Sequence, residues 1–278
     1  GDYRVIRPLS AGRMGAVYVV EQISTGRQRA LQVMLGELLS NDDLRRRFAQ
    51  EARIGAEIDS DYVVEVIAAG IDGASGLPWI AKELLVGEDF ASYLARVGAL
   101  SPGELLAVFE QVTHAIGAAH AKGIVHRDLK PENLFLARVR QREVAKVLDF
   151  GIAKLVGQQK TKATGAMGTP LWMAPEQTQS GAGVTPAADV WALGLIAFRA
   201  LSGRVFWRSA SDVDSSPMMV LREVVIDDIP PASERARALA APPLPAGFDA
   251  WFSRCVARDP ALRFPNATDM CAALRATL

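Results

Sequence analysis

His126-Arg127-Asp128-Leu129-Lys130-Pro131-Glu132-Asn133 is the stretch that decides how this chain is read. From Asp128 to Asn133 it sets a carboxylate, an ammonium and a carboxamide within six residues. Asp128 can accept a proton, Lys130 can hold phosphate charge, and the Asn133 carboxamide can ligate a hard cation. Taken singly, the segment would also pass as a polar surface loop. Its flanks argue for a platform. Apolar Ile124-Val125 before it and Leu134-Phe135-Leu136 after it predict two short strands that hold the loop rigid. Sixteen residues past Asn133 stands Asp149, within Leu148-Asp149-Phe150-Gly151, a second carboxylate with a nearby glycine that lets the chain turn sharply.

The two segments together resemble the catalytic loop and the Asp-Phe-Gly element of protein kinases, in matching order and spacing. The resemblance spans almost the whole chain and is to Hanks-type bacterial Ser/Thr protein kinases. It implies an α+β, bilobal protein-kinase fold. The N-lobe would hold an antiparallel five-stranded sheet plus helix C, and the larger C-lobe would be mainly helical. The expected bounds are 1–84 for the N-lobe, 85–87 for the hinge and 88–278 for the C-lobe. ATP and Mg2+ follow as implied cofactors. In the roles this resemblance carries, Asp128, Lys130, Asn133 and Asp149 are catalytic, with Asn133 and Asp149 holding the metal.

Composition agrees with a packed protein. The chain has 278 residues, enough to bury a core, and half of them are hydrophobic. A formal net charge of +0 gives no sign of a nucleic-acid or polyanion partner. Cys255 and Cys271 lie on apolar helical faces and read as buried thiols rather than a disulfide, which suits a reducing compartment such as the cytoplasm. The longest apolar run, 190–200, is interrupted by Arg199 and too short to span a membrane, so no membrane contact is expected within this chain. No signal peptide opens it, and its start at a strand suggests a domain cut from something longer.

Strand signals fall at Tyr3–Ile6, Ala16–Val20 and Arg29–Met34, with Ser24-Thr25-Gly26 as a hairpin turn. Between the first two runs lies Leu9-Ser10-Ala11-Gly12-Arg13-Met14-Gly15-Ala16-Val17. Small residues there let backbone amides approach a phosphate, although, taken alone, the segment reads better as a glycine-bearing hairpin with no ligand. The segment resembles a kinase glycine-rich loop, with Ser10 in place of the first glycine and Gly12 and Gly15 kept. Asn41-Asp42-Asp43 caps a helix expected over 44–58, where Glu51 takes the place of the family's helix-C glutamate. Further strands are expected at Val63–Ile67 and Trp79–Leu84. Leu85-Val86-Gly87 resembles the hinge, where backbone groups of Glu83 and Leu85 would bond adenine. The resemblance adds Leu9, Val17, Ala30 and Phe135 to the nucleotide's surroundings.

Helices dominate beyond the hinge. Ser101 caps a helix over Pro102–Lys122, whose His114 and His120 have no neighbouring Cys or third His and read as structural. The apolar helix Asp189–Leu201 resembles the one whose aspartate anchors the catalytic loop. Helices are expected at Pro217–Val225, Phe248–Ala257 and Ala267–Ala276, with a long loop past Pro230-Pro231 and Pro242-Pro243. Arg263 matches the family's arginine that pairs with the Ala-Pro-Glu glutamate, here Glu176. The stretch 149–176 resembles an activation segment. Phosphate on Thr161 or Thr164 would pair with Arg127, and Thr169 would face the substrate. Lys130 points to a protein substrate with a Ser or Thr acceptor, and autophosphorylation would pass through a homodimer.

Two residues depart from the family. The strand-three lysine, which should hold the ATP phosphates, is Gln32, an uncharged side chain. Lys82 stands at the gatekeeper position, where an apolar residue is usual. A lone ammonium there would be costly to bury, so Lys82 is expected to have taken over the missing lysine's post, reaching Glu51, Asp149 or the phosphates. Arg13 or Arg29 would be a weaker substitute. The alternative is a pseudokinase, a nucleotide-binding or docking scaffold with a degraded pocket.

Overall fold

The N-terminal alternation builds three antiparallel strands, β1 (Tyr3–Gly12), β2 (Gly15–Gln22) and β3 (Arg27–Met34). The structure is a computed structural model that describes residues 2–12, 15–34, 57–150, 170–179, 183–211 and 216–278. Two more strands, β4 (Val66–Ile71) and β5 (Pro78–Glu83), complete a five-stranded antiparallel sheet ordered β1-β2-β3-β5-β4. The strand expected at Val63–Ile67 starts at Val66 instead. Val63 and Val64 are drawn inward: Val63 bridges Val147, and the Val64 amide donates to the Val147 carbonyl at 3.0 Å. The helix expected over 44–58 lies almost wholly outside the described residues, as do Glu51, Arg13, Thr161, Thr164 and Thr169.

Register decides which side chains share the sheet's two faces. Val20, Leu31 and Ala81 close a small core on one face. Ala30 stands opposite Lys82, and Gln32 opposite both Ile80 and Val17, so these five share the other face.

A second sheet joins β6 (Gly87–Asp89), β7 (Leu134–Val139) and β8 (Arg142–Val147), of which β7 and β8 follow the 126–133 segment. The rest is helical: α1 (Phe90–Val97), α2 (Pro102–Ala121), α3 (Ala187–Ser202), α4 (Pro217–Val225), α5 (Ala232–Ala238), α6 (Phe248–Cys255) and α7 (Ala267–Thr277). The chain is thus an α+β protein with a sheet-built N-lobe and a mainly helical C-lobe. A full capping box between Ser101 and Glu104 starts α2. Every residue of α3 except Arg199 is buried, so it is the axis of the C-lobe core. Gly194 lets α6 approach closely, since a Cβ there would stand 2.6 Å from that of Cys255. Cys255 and Cys271 are free and buried. Among the described residues no helix is long and apolar enough to cross a membrane.

Candidate active site

The segment before Asp128 is not a strand, contrary to the expectation for Ile124-Val125. Its backbone is held by a side chain instead of a neighbouring strand. The amides of His126 and Arg127 donate to the two carboxylate oxygens of Asp189, each at 2.8 Å. Asp189 sits at the first turn of α3 and is 1% exposed. A third contact comes from His120 Nε2 on α2, 2.9 Å from Asp189 Oδ2. Arg127 adopts φ 66°, a left-handed conformation unusual for a side-chain-bearing residue, and the Gln177 amide clamps its carbonyl at 2.7 Å. Strain at this place is sustained because surrounding groups over-determine it. His120, expected to be structural, braces Asp189. Nothing local in the sequence links it to a residue 69 positions away.

His126 joins this loop to the Asp149 segment. Its Nε2–H donates to the Leu148 carbonyl at 3.1 Å, and its Nδ1 accepts from the Asp128 amide at 3.3 Å. Those two partners fix a neutral tautomer. Burial pushes its pKa down, against the opposing pull of the Asp189 carboxylate. Its ring packs on buried Phe150, with centroids 4.8 Å apart. Leu148 is also tied by its amide to the Asn133 carbonyl at 2.8 Å. The two chemistry-bearing segments are therefore one unit.

After Pro131–Asn133, a single 3-10 turn, the chain enters β7. Asn133 Nδ2 donates to the Asp128 carbonyl at 2.7 Å and to Asp128 Oδ2 at 3.2 Å. Its donor end is thereby committed, and Oδ1 is the atom left to meet a cation. Lys130 Nζ lies 3.2 Å from Asp128 Oδ2. Asp149, on the segment tied to this loop through Leu148, has a 51% exposed side chain. A carboxylate and a carboxamide oxygen suit Mg2+, which takes few protein ligands and completes its shell with water and phosphate. Among the described residues no cluster of three or more His, Cys, Asp or Glu could hold a metal by itself.

Lys82 is nearly buried, its side chain 10% exposed. Nζ donates to Gln32 Oε1 at 2.9 Å and forms an ion pair with Asp149 Oδ1. The register explains the reach: Ala30 is directly opposite Lys82, which makes Gln32 its diagonal neighbour on the same face, within range of two long side chains. An ammonium is donor-only, so the amide must turn its oxygen toward it.

Ala30 and Val17 share that face, and Gly12 pairs with Gly15 where β1 and β2 meet. A Cβ on Gly15 would overlap the Val33 carbonyl, so only glycine fits. Ser10 pairs with Val17 across the same ribbon, while Leu9 is 47% exposed at a register shift in β1. Leu85 lies in the irregular link between β5 and β6. The Glu83 amide is taken by the Glu65 carbonyl at 3.0 Å, leaving Leu85 as the amide donor of the two. The Glu83 side chain also accepts from Lys146 Nζ at 2.7 Å, tying β5 to β8. Phe135 on β7 lies against Gly87, whose φ of 152° and contact with the Leu136 carbonyl exclude a side chain.

Below the cleft, Arg263 forks onto Glu176 with Nη1–Oε1 at 2.7 Å and Nη2–Oε2 at 2.8 Å. Arg263 further donates to the Ala187 carbonyl at 2.9 Å and lies over the Trp191 ring. The start of α3, and with it Asp189, is thereby braced from the far side.

A five-stranded antiparallel N-lobe sheet joined to a mainly helical C-lobe is the fold of the protein kinase class. A family profile for the protein kinase domain matches residues 3–273, and the chain belongs to the protein kinase family. It is 37% identical over 209 residues to the serine/threonine-protein kinase pkn2 of Myxococcus xanthus, covering 74% of this chain and 25% of that protein. To the serine/threonine-protein kinase PknE of Mycobacterium bovis it is 34% identical over 281 aligned residues, covering 100% of this chain and 46% of the other. The chain thus spans less than half the length of these two relatives. The solved kinase domain of Mycobacterium tuberculosis PknI superposes with a TM-score of 0.74 at 28% identity, covering 100% of this chain and 96% of that one.

Proposed function

We propose that this chain transfers the γ-phosphoryl group of ATP to a Ser or Thr hydroxyl of a protein, with Lys82 supplying the charge that position 32 lacks. The observation that carries this reading is the Lys82 ammonium, held between Gln32 Oε1 at 2.9 Å and the Asp149 carboxylate. Phosphoryl transfer rests mainly on positioning and charge stabilisation, so a cation near the phosphates matters more than the strand that bears it. The lobes would divide at 84 and 88, with 85–87 as the hinge.

Asp128 orients the acceptor hydroxyl and takes its proton. Lys130, 3.2 Å from Asp128, steadies the transferring phosphate. Mg2+, held by Asn133 Oδ1 and Asp149, would supply charge neutralisation on the phosphate oxygens. Gly12 and Gly15 let backbone approach the phosphates, and Leu85 offers its amide to the base. Two free, buried thiols support action in a reducing compartment.

The test is radiolabelled phosphate transfer to a generic Ser/Thr substrate by wild type, Lys82→Met and Asp128→Asn. Activity in wild type that both substitutions abolish supports the proposal. Nucleotide binding without transfer in wild type would make the chain a docking scaffold, the reading that Gln32 favours.

A further inference from the structure

Lys82 and a divalent cation have claims on one carboxylate. Asp149 Oδ1 receives the ammonium, which Gln32 Oε1 holds from the other side at 2.9 Å. The lysine side chain is 10% exposed, whereas that of Asp149 is 51% exposed. Hard cations bind carboxylates through their negative charge, and an ammonium at hydrogen-bond distance cancels much of it. A bound triphosphate would offer that ammonium a more highly charged acceptor.

Resting on the kinase reading above, we infer that Lys82 gates metal loading at Asp149. Metal binds the nucleotide-free cleft weakly, and nucleotide raises metal affinity by drawing the ammonium off the carboxylate. The gate depends on the departure itself. The ammonium comes from β5 and is steered by Gln32, which can orient a cation but cannot replace it. By linkage the coupling is reciprocal, so metal strengthens nucleotide binding by the same factor.

Mn2+ serves as the probe, with free ion read by electron paramagnetic resonance on the whole chain without nucleotide. Lys82→Met should tighten Mn2+ binding by roughly tenfold, the scale set by removing one partly screened counter-charge. Lys82→Gln keeps hydrogen bonding to Gln32 and Asp149 without charge. It should show the same gain, and a melting curve on each variant establishes that it is folded. The gain should vanish when Asp149→Asn is added. Equal Mn2+ affinity in wild type and both Lys82 variants would overturn the gate, as would a gain that survives Asp149→Asn. Because binding is read without phosphotransfer, the two readings separate. An active wild type with unmoved Mn2+ affinity loses the gate alone, and an inactive wild type with a tightened Lys82→Met loses only the kinase reading.

Discussion

Lys82 Nζ donates to Gln32 Oε1 at 2.9 Å across the β3–β5 pair, so the two residues that depart from the kinase pattern are partners. A pair predicts a pattern that two independent substitutions would not give. Gln32→Lys alone sets a second ammonium beside the first, and like charges on diagonal strand neighbours repel. It should lower kcat/KM rather than raise it. Lys82→Met alone should lower kcat/KM by about 10²–10³-fold, the scale of losing one preorganised charge-stabilising donor. Combining them restores a single cation, on β3, and should recover activity relative to either single variant. A double-mutant cycle on kcat/KM measures this, and additive losses would show that the residues act separately.

Asp189 accepts the His126 and Arg127 amides while His120 holds it from α2. Asp189→Ala would strand two buried or half-buried amides, each costing about 1–3 kcal/mol, so a loss of roughly 3 kcal/mol or more is expected in urea unfolding. Asp189→Asn keeps one acceptor oxygen but turns an NH2 toward a donor, and should fall between Ala and wild type. His120→Ala should cost less, since the carboxylate keeps both amides.

Much of this was legible from sequence because local chemistry and long-range pattern agreed. Helix Pro217–Val225 starts and stops where proline and apolar spacing place it. The parts that were not legible are those where tertiary contacts override local signals. Val63 and Val64 look like strand residues but bury against Val147. Ile124-Val125 look like a strand, yet the amides that follow them belong to Asp189. The short helices α1 and α5 carry no separate helix signal in the sequence, and at 8 and 7 residues they are set by packing more than by propensity. Within the site, that the strands bearing Lys82 and Gln32 lie side by side follows from the resemblance to the kinase fold. The amide orientation that makes Gln32 an acceptor needed the atoms.

The Glu176–Arg263 fork is buried, with side chains 10% and 0% exposed. Breaking such a pair leaves a charge without its partner. Glu176→Ala or Arg263→Ala should therefore cost about 3–5 kcal/mol of unfolding free energy. Arg263→Lys keeps the charge but not the two parallel bonds, nor the donation to the Ala187 carbonyl, and should cost somewhat less. Glu176→Gln tests the same joint from the other side. Equal stability of wild type and Arg263→Ala in guanidinium melts would show that the fork contributes nothing net.

His126 gives the fold a pH dependence whose sign follows from its bonds. Burial lowers its pKa beneath the ordinary value of 6.5, so the unfolded chain takes up the proton first. The stability this adds is full above about pH 6.5 and is lost as pH falls below it toward the lowered native value. One group contributes at most about 1.4 kcal/mol per pH unit across that window. Protonation of Nδ1 would also set a donor against the Asp128 amide, which now donates to it at 3.3 Å. His126→Phe keeps the ring on Phe150 and removes the titration. It should be less stable at pH 8, for want of two hydrogen bonds, but should lose less on going to pH 5.5. Denaturant midpoints at half-unit pH steps compare the two slopes, and parallel slopes would mean that His126 titrates alike in the folded and unfolded chain.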